Sequence, residues 1–444
     1  MIRHRAHAAV AAVAAVTALA LAGCGGDDVA PASAEGSPEA AAADDAGGGE
    51  ETTLTVSLFG TFGYDEAGLF DQYEEENPNI TIEYETTQGE DTYWPALLTK
   101  LNAGSGAADI QGIEVARIRT ATTELADRWV DLSQTAAAEQ LDDYTQAKLD
   151  AATTDDGRVI GLGTDIGPTG ICYRTDLLEE AGLPTDPAEL ADAMGSWEDY
   201  LELGRQYQAS GASGAWTDSA GGLYNAIIST EQEIYYDEAG ELVYDTNPAV
   251  REAFDLAATA ADDDLTAKLA QFEDPEWNPG FGNGAFATIA CPSWMIGYIK
   301  GQAGEAGSGS WGVTSLPGGA AGNWGGAYLG VPASSENQEE AVRLAMWLTA
   351  PEQQEKVFAV GGNFPSNTTA IDAVAGTTDE YFSGAPIGEI FGEIAKNAPA
   401  QILGPDDGIL KNEITNALLT VEVNDVSPDD AWTSAQRAVD NQLG

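Results

Sequence analysis

"LTVSLF" (54–59), "DEAGLFDQYEEENP" (65–78), "ITIEYE" (80–85), "DTYWPALLTKLNAGSG" (91–106) and "ADIQGIE" (108–114) follow one another in a single run of sequence. The first, third and fifth are short, alternating and rich in β-branched residues, so they predict strands. The second and fourth have helical spacing. One is closed by Asn77-Pro78 and the other by a glycine, both of which stop helices. Strand, helix, strand, helix, strand predicts an α/β fold with a parallel sheet, because parallel strands need a crossover and a helix supplies it. Such sheets bind ligands beyond the carboxyl ends of their strands.

The rhythm resumes in the middle of the chain. "TGICYR" (169–174) predicts a strand leading into the helix "TDLLEEAG" (175–182), and "SWEDYLELGRQYQASG" (196–211) is amphipathic. "AFATIACPSW" (285–294), "WGVTSLP" (311–317) and "GAYLGVP" (326–332) predict three more strands. Ser335 and Gln338 read as a capping box opening a helix whose buried stripe is Ala341, Leu344, Ala345 and Leu348. The C-terminal part reads as mostly helical, and no repeat of solenoid period is present.

The first residues bear on the compartment. Arg3 and Arg5 precede an apolar stretch from Ala8 to Gly23 that ends "LAGC". A charged start, a short apolar middle and small residues at the end predict a secretory signal over 1–23, short of the roughly 20 residues a spanning helix needs. "LAGC" resembles a bacterial lipobox. By that resemblance Cys24 carries diacylglycerol, and 24–52, with no aromatic residue, is a flexible tether holding the body outside the cell membrane. Removing 1–23 also removes His4 and His7, the only two histidines. That excludes Ser-His-Asp and Cys-His catalysis and histidine-ligated zinc.

The formal net charge is −55, from 18 Lys and Arg against 73 Asp and Glu. So acidic a surface repels phosphate backbones and excludes nucleic acid as a partner. Besides Cys24 there are two cysteines, Cys172 and Cys291. A nucleophilic Cys291 would want a histidine, two isolated thiols make no zinc site, and disulfides persist outside the membrane. A Cys172–Cys291 disulfide is therefore expected, with two buried free thiols as the other reading.

From "FDQYEEENPNITIEYE" onward the chain resembles the extracellular solute-binding proteins of bacterial ABC importers, in their carbohydrate branch. The likeness continues through "GPTGICYRTDLLEEAGLP", "SWEDYLELGRQY", "FGNGAFATIACPSW", "WGVTSLPGG", "GGAYLGVPASSENQEEAVRLAMWLTAPEQQEKV" and "GGNFPSN". It covers roughly 53–444 in the family's order. "EWNPGFGNGAFATIACPSWMIGYIKGQAG" and "GNWGGAYLGVP" are most similar to actinobacterial binders of cellobiose and cello-oligosaccharides. The resemblance implies a two-lobed, type II periplasmic-binding-protein-like fold with the sugar clamped between lobes. Lobe 1 would be 53–165 plus 325–362 and lobe 2 would be 166–324 plus 363–444, with crossings near Ile166, Trp324 and Asn363. It also implies a non-enzymatic receptor that closes on an oligosaccharide and delivers it to permease subunits. No cofactor or metal is expected, and nothing in the sequence speaks to a stable oligomer, so a monomer is expected.

A sugar offers apolar C–H faces and a rim of hydroxyls, so its site needs flat aromatics and bidentate polar groups. Trp294, at the end of the "CPSW" strand, stands where relatives stack a sugar ring. Trp324 lies among glycines, with Gly325 and Gly326 suited to close backbone approach. Phe62 and Tyr64 follow the first strand, and Asn363 and Phe364 belong to the third crossing. Glu114, Asp165 and Arg117 are the polar candidates, each equally readable as a surface charge. Tyr93 and Trp94 read as packing or cleft rim. The sequence departs from maltose-binding relatives at Ile113, where an aromatic is frequent, and at Leu418 and Leu419, where a tryptophan is usual. Two other readings stay open on residues alone: a secreted glycoside hydrolase using carboxylate pairs, and a binder of a non-sugar solute such as a polyamine.

Overall fold

The structure, a computed structural model, describes residues 51–444. The signal 1–23, Cys24 and nearly all of the tether 24–52 lie outside the described residues.

The chain begins with β1 (Thr52–Phe59), β2 (Ile80–Thr87), β3 (Ile110–Glu114) and β4 (Gly161–Gly163). It passes through the short strand β5 (Asp165–Ile166) into β6 (Pro168–Arg174), β7 (Ala215–Thr217), β8 (Phe286–Pro292), β9 (Trp311–Thr314) and β10 (Gly322–Asn323). It then returns as β11 (Ala327–Gly330), and β12 (Phe364–Pro365) follows later. The first sheet has the order β2-β1-β3-β11-β4 and the second β10-β6-β8-β7, with β9 also on β6. β12 pairs antiparallel with β5, Phe364 opposite Ile166. Two sheets, each with its own apolar core, are thus joined where the chain crosses at 163–168, at 323–327 and beside β12.

The opening run folds as its pattern dictates. β1 buries Leu54, Val56 and Leu58 completely, a burial that stabilises by roughly 1.5–3 kcal/mol per side chain. β2 and β3 both lie parallel to β1. The connecting helices are Leu69–Glu76, ended at Asn77, and Glu90–Ala103, ended by Gly104 in the left-handed conformation.

Two expectations need correction. The sheets are mixed. β11 runs antiparallel to β3 and β4, and in the second sheet only β7 and β8 are parallel. A strand that returns from the other sheet, or after a long excursion, is not bound by the crossover that forces neighbours parallel. The capping box does not form either. The helix Gln338–Leu348 starts at Asn337, and Ser335 Oγ donates to Asp109 (2.6 Å) and accepts from Asn337 N. The strong acceptor across the core wins over the local cap. The stripe Ala341, Leu344, Ala345 and Leu348 is buried as expected.

The disulfide is present between Cys172 on β6 and Cys291 on β8, with Cα atoms 5.3 Å apart. These strands are antiparallel neighbours, Cys291 opposite Gly170 and Cys172 opposite Ile289. β8 is buried along its whole length. It delivers the chain to Trp294, which opens the helix Met295–Ala303.

Candidate functional site

A cleft of about 740 Å³ lies between the two sheets. Its walls come from the ends of strands. Phe59 and Phe62 lie at and beyond the end of β1, Gln88 follows β2, Glu114 ends β3, and Trp294 and Trp324 follow β8 and β10. This is the position the strand pattern predicts for a ligand.

The aromatic wall is built from half-buried rings. Trp294 Nε1 donates to the Trp324 carbonyl (3.1 Å), and the two indoles meet edge to face at 6.0 Å and 85°. Phe272 approaches Trp294 at 6.1 Å and packs on Trp277 at 4.7 Å. Gly325 and Gly326 follow Trp324 with φ of 98° and 100°. A Cβ at Gly325 would stand 2.9 Å from Trp294 Nε1, so both conformation and space call for glycine. Phe272 takes φ 65° without being glycine, a conformation that costs roughly 1–2 kcal/mol.

The polar floor centres on Asp165. Its Oδ1 accepts from Ala327 N (2.9 Å) and Thr164 Oγ1 (2.6 Å), and Asn363 Nδ2 lies 3.5 Å from Oδ2. Burial raises the Asp165 carboxyl above its usual range, with Lys148 opposing. Burial lowers Lys148 to about 8, with Asp165 and Glu114 opposing. Lys148 Nζ donates to the Ala327 carbonyl (3.1 Å) and lies 3.8 Å over the Tyr328 ring. Glu114 caps the helix Val115–Thr122 by accepting from Ala116 N (2.7 Å), and its other oxygen stands 4.0 Å from Lys411. Glu90 is joined to Arg117 at 2.9 Å. Three cleft carboxylates, Asp165, Glu114 and Glu90, thus each face a cation, in a chain with only 18 Lys and Arg. At the mouth, Gln88 Nε2 reaches Tyr298 Oη (3.4 Å) from the opposite wall.

Of the residues singled out from sequence, Trp294, Trp324, Gly325, Glu114, Asp165, Phe62 and Asn363 line the cleft together. Tyr64 and Phe364 do not. Tyr64 packs between Phe62 and Phe70, and Phe364 packs edge to face on Phe358. Arg117 lies behind the wall, under Trp94 and beside Glu90. Tyr93 and Trp94 are packed in the first body. Sequence reasoning missed Gln271, Phe272, Tyr298, Lys411 and Glu422 as cleft residues. Lys411 and Glu422 sit on the helix Asp407–Asn424, which contributes Leu419 to the same wall. Phe272 lies in a loop with no periodicity, so no pattern could have marked it. Among the described residues no group of three or more His, Cys, Asp or Glu is placed to hold a metal.

The arrangement is that of a receptor clamping a small polar solute between two α/β bodies. Residues 68–383 match the family described as bacterial extracellular solute-binding protein, and the chain belongs to that family. A crystal structure of an extracellular solute-binding protein family 1 is 40% identical, with a TM-score of 0.73, over 88% of this chain and 100% of that one. The transporter-associated binding protein of B. animalis subsp. lactis Bl-04, solved with β-1,6-galactobiose, shares the fold at a TM-score of 0.76 and 18% identity. The match covers 88% of this chain and 97% of that one. The lactose-binding protein of Rhizobium radiobacter is 26% identical over 287 residues, 62% of this chain and 65% of that protein. The fold is therefore the two-lobed type II arrangement, and the protein is a solute binder rather than an enzyme. The family places it outside the cytoplasm.

Proposed function

We propose that this protein captures a neutral oligosaccharide by lobe closure and hands it to the permease of an ABC importer, with cellobiose and short cello-oligosaccharides as the first candidates. The observation that carries this reading is the Trp294–Trp324 pair lining a cleft in which three of the five carboxylates, Asp165, Glu114 and Glu90, each face a cation. Flat rings suit the C–H face of a sugar, and anchored carboxylates suit its hydroxyls. The facing cations offset part of the negative field of the cleft, which favours a neutral ligand over a polyamine, although the molecule as a whole is strongly acidic. The sugars named for the relatives point to the same chemical class. In this reading the lobes are 53–165 plus 325–362 and 166–324 plus 363–444, hinged at the three crossings. Closure is driven by a ligand that touches both. Cys24 carries the lipid that anchors the receptor, which acts as a monomer.

The test is a calorimetric titration of residues 53–444 with cellobiose, cellotriose, maltose, lactose, β-1,6-galactobiose and spermidine. One-to-one heat with the β-1,4 glucans above the other sugars is the expected outcome. Heat with lactose or galactobiose alone would keep the sugar class and replace the glucan. Heat with spermidine alone would overturn the neutral-ligand reading.

A further inference from the structure

Phe272 stands out in the cleft wall because its backbone and its surroundings pull in different directions. It adopts φ 65°, where glycine would be unstrained. Yet it carries a large ring that is only half-buried and lines the cleft. A loop that merely had to turn would not need that ring. Strained positions of this kind persist where the surroundings over-determine them, and here they do. Gln271 Nε2 donates to Asp218 Oδ2 (2.7 Å), and Trp277 Nε1 donates to the same oxygen (2.9 Å). The segments on both sides of Phe272 are therefore tied to one buried carboxylate. The fit is close: a Cβ at Gly222 would stand 2.4 Å from Gln271 Nε2. Tyr298 braces the ring edge to face at 5.5 Å.

We propose that Phe272 is a specificity-determining residue, a second aromatic wall that selects ligands of more than one sugar ring; this rests on the sugar-binding reading above. Phe272 lies 6.1 Å from Trp294 and is inclined 39° to it, whereas Trp324 meets Trp294 edge to face on 6.0 Å centres. The Trp294–Phe272 step is close to the width of one pyranose. A single ring covers Trp294, and the next ring of the same ligand comes against Phe272. Phe272 therefore contributes to the affinity of an oligosaccharide and not to that of its monosaccharide unit.

The experiment titrates wild type, Phe272→Leu, Phe272→Tyr and Phe272→Gly with cellotriose and glucose, or with the tightest oligosaccharide of the panel above and its constituent monosaccharide. Melting temperatures are read on the same samples. Phe272→Leu is expected to weaken the oligosaccharide about five- to tenfold and leave the monosaccharide unchanged, while Phe272→Tyr restores wild-type affinity. Phe272→Gly is expected to lose the same affinity yet melt within a few degrees of wild type, because it relieves the left-handed backbone. Unchanged oligosaccharide affinity in Phe272→Leu, or equal losses for both ligands, overturns the proposal. So does a collapse of the melting temperature in Phe272→Gly. A wild-type protein silent to every sugar would instead remove the sugar reading and this inference with it.

Discussion

Trp294 is half-buried, its indole N–H is held by the Trp324 carbonyl, and the disulfide-bonded strand β8 ends just before it. The ring is thus fixed before any ligand arrives, which removes an ordering cost from binding. Trp294→Ala should weaken sugar binding about a hundredfold, the scale of an interface anchor. The melting temperature should fall by only a few degrees, because the ring packs at the edge of the core and is only partly buried. Titration calorimetry and differential scanning calorimetry check the two halves, and a large melting loss would make Trp294 a core residue. Trp294 was legible through the resemblance, which places it at the cleft end of the "CPSW" strand, and Trp324 because "GNWGG" puts a large ring among residues too small to bury it. Tyr64 and Phe364 lie one or two residues from cleft positions, but the turn through Gly63 packs Tyr64 on Phe70, and Phe364 on β12 packs on Phe358. Phe272 was illegible because its role depends on a backbone conformation and on Asp218, a residue distant in sequence.

The helix Asp407–Asn424 joins the cleft wall to the second core, and Glu422 shows how. Its Oε1 accepts from Ala220 N (2.6 Å) at the start of the helix Ala220–Ile228, and the residue also lines the cleft. Burial raises Glu422 to about 7, and burial raises the neighbouring Asp218 to about 6. A carboxyl whose pKa is raised on folding binds more protons in the native state. The stability it contributes is present at low pH and declines as pH climbs from the unfolded carboxyl value to the folded one. Between about pH 4.5 and 7 these two acids should therefore lower the melting temperature as pH rises. Glu422→Gln keeps an acceptor for Ala220 N and cannot ionise, so it should flatten that slope and melt above wild type at pH 7.5. An identical slope in the variant would show that Glu422 does not titrate there. The helix itself was legible in outline, but nothing in its sequence said which residues face the cleft.

The proposed lobe closure depends on how closely the two bodies meet beside the hinge. Gly297, in the helix Met295–Ala303, packs on Gly361 so tightly that a Cβ would stand 2.7 Å from the Gly361 Cα. Backbone meets backbone there, so neither side can yield by rotating a side chain. Gly297→Ala should hold the lobes apart and weaken ligand binding at least tenfold. Small-angle scattering should show a radius of gyration that no longer shrinks with ligand. Normal compaction with normal affinity would show that this contact does not limit closure.

The opening run from Leu54 to Glu114 determined by itself that the protein is α/β, because alternation and helical spacing are local properties and each segment there matches its own pattern. The sequence narrowed Cys172 and Cys291 to a disulfide or two buried free thiols, since no histidine was left to make other chemistry, and the neighbouring strands β6 and β8 decided for the disulfide. Strand direction in the second sheet, the choice between Phe62 and Tyr64, and the cations that face Asp165, Glu114 and Glu90 were left to the tertiary structure. These depend on which distant segments become neighbours. Lys148 reaches Ala327, Lys411 faces Glu114 and Asp218 holds Gln271. No local pattern encodes a pairing that only the folding together of distant segments brings within reach.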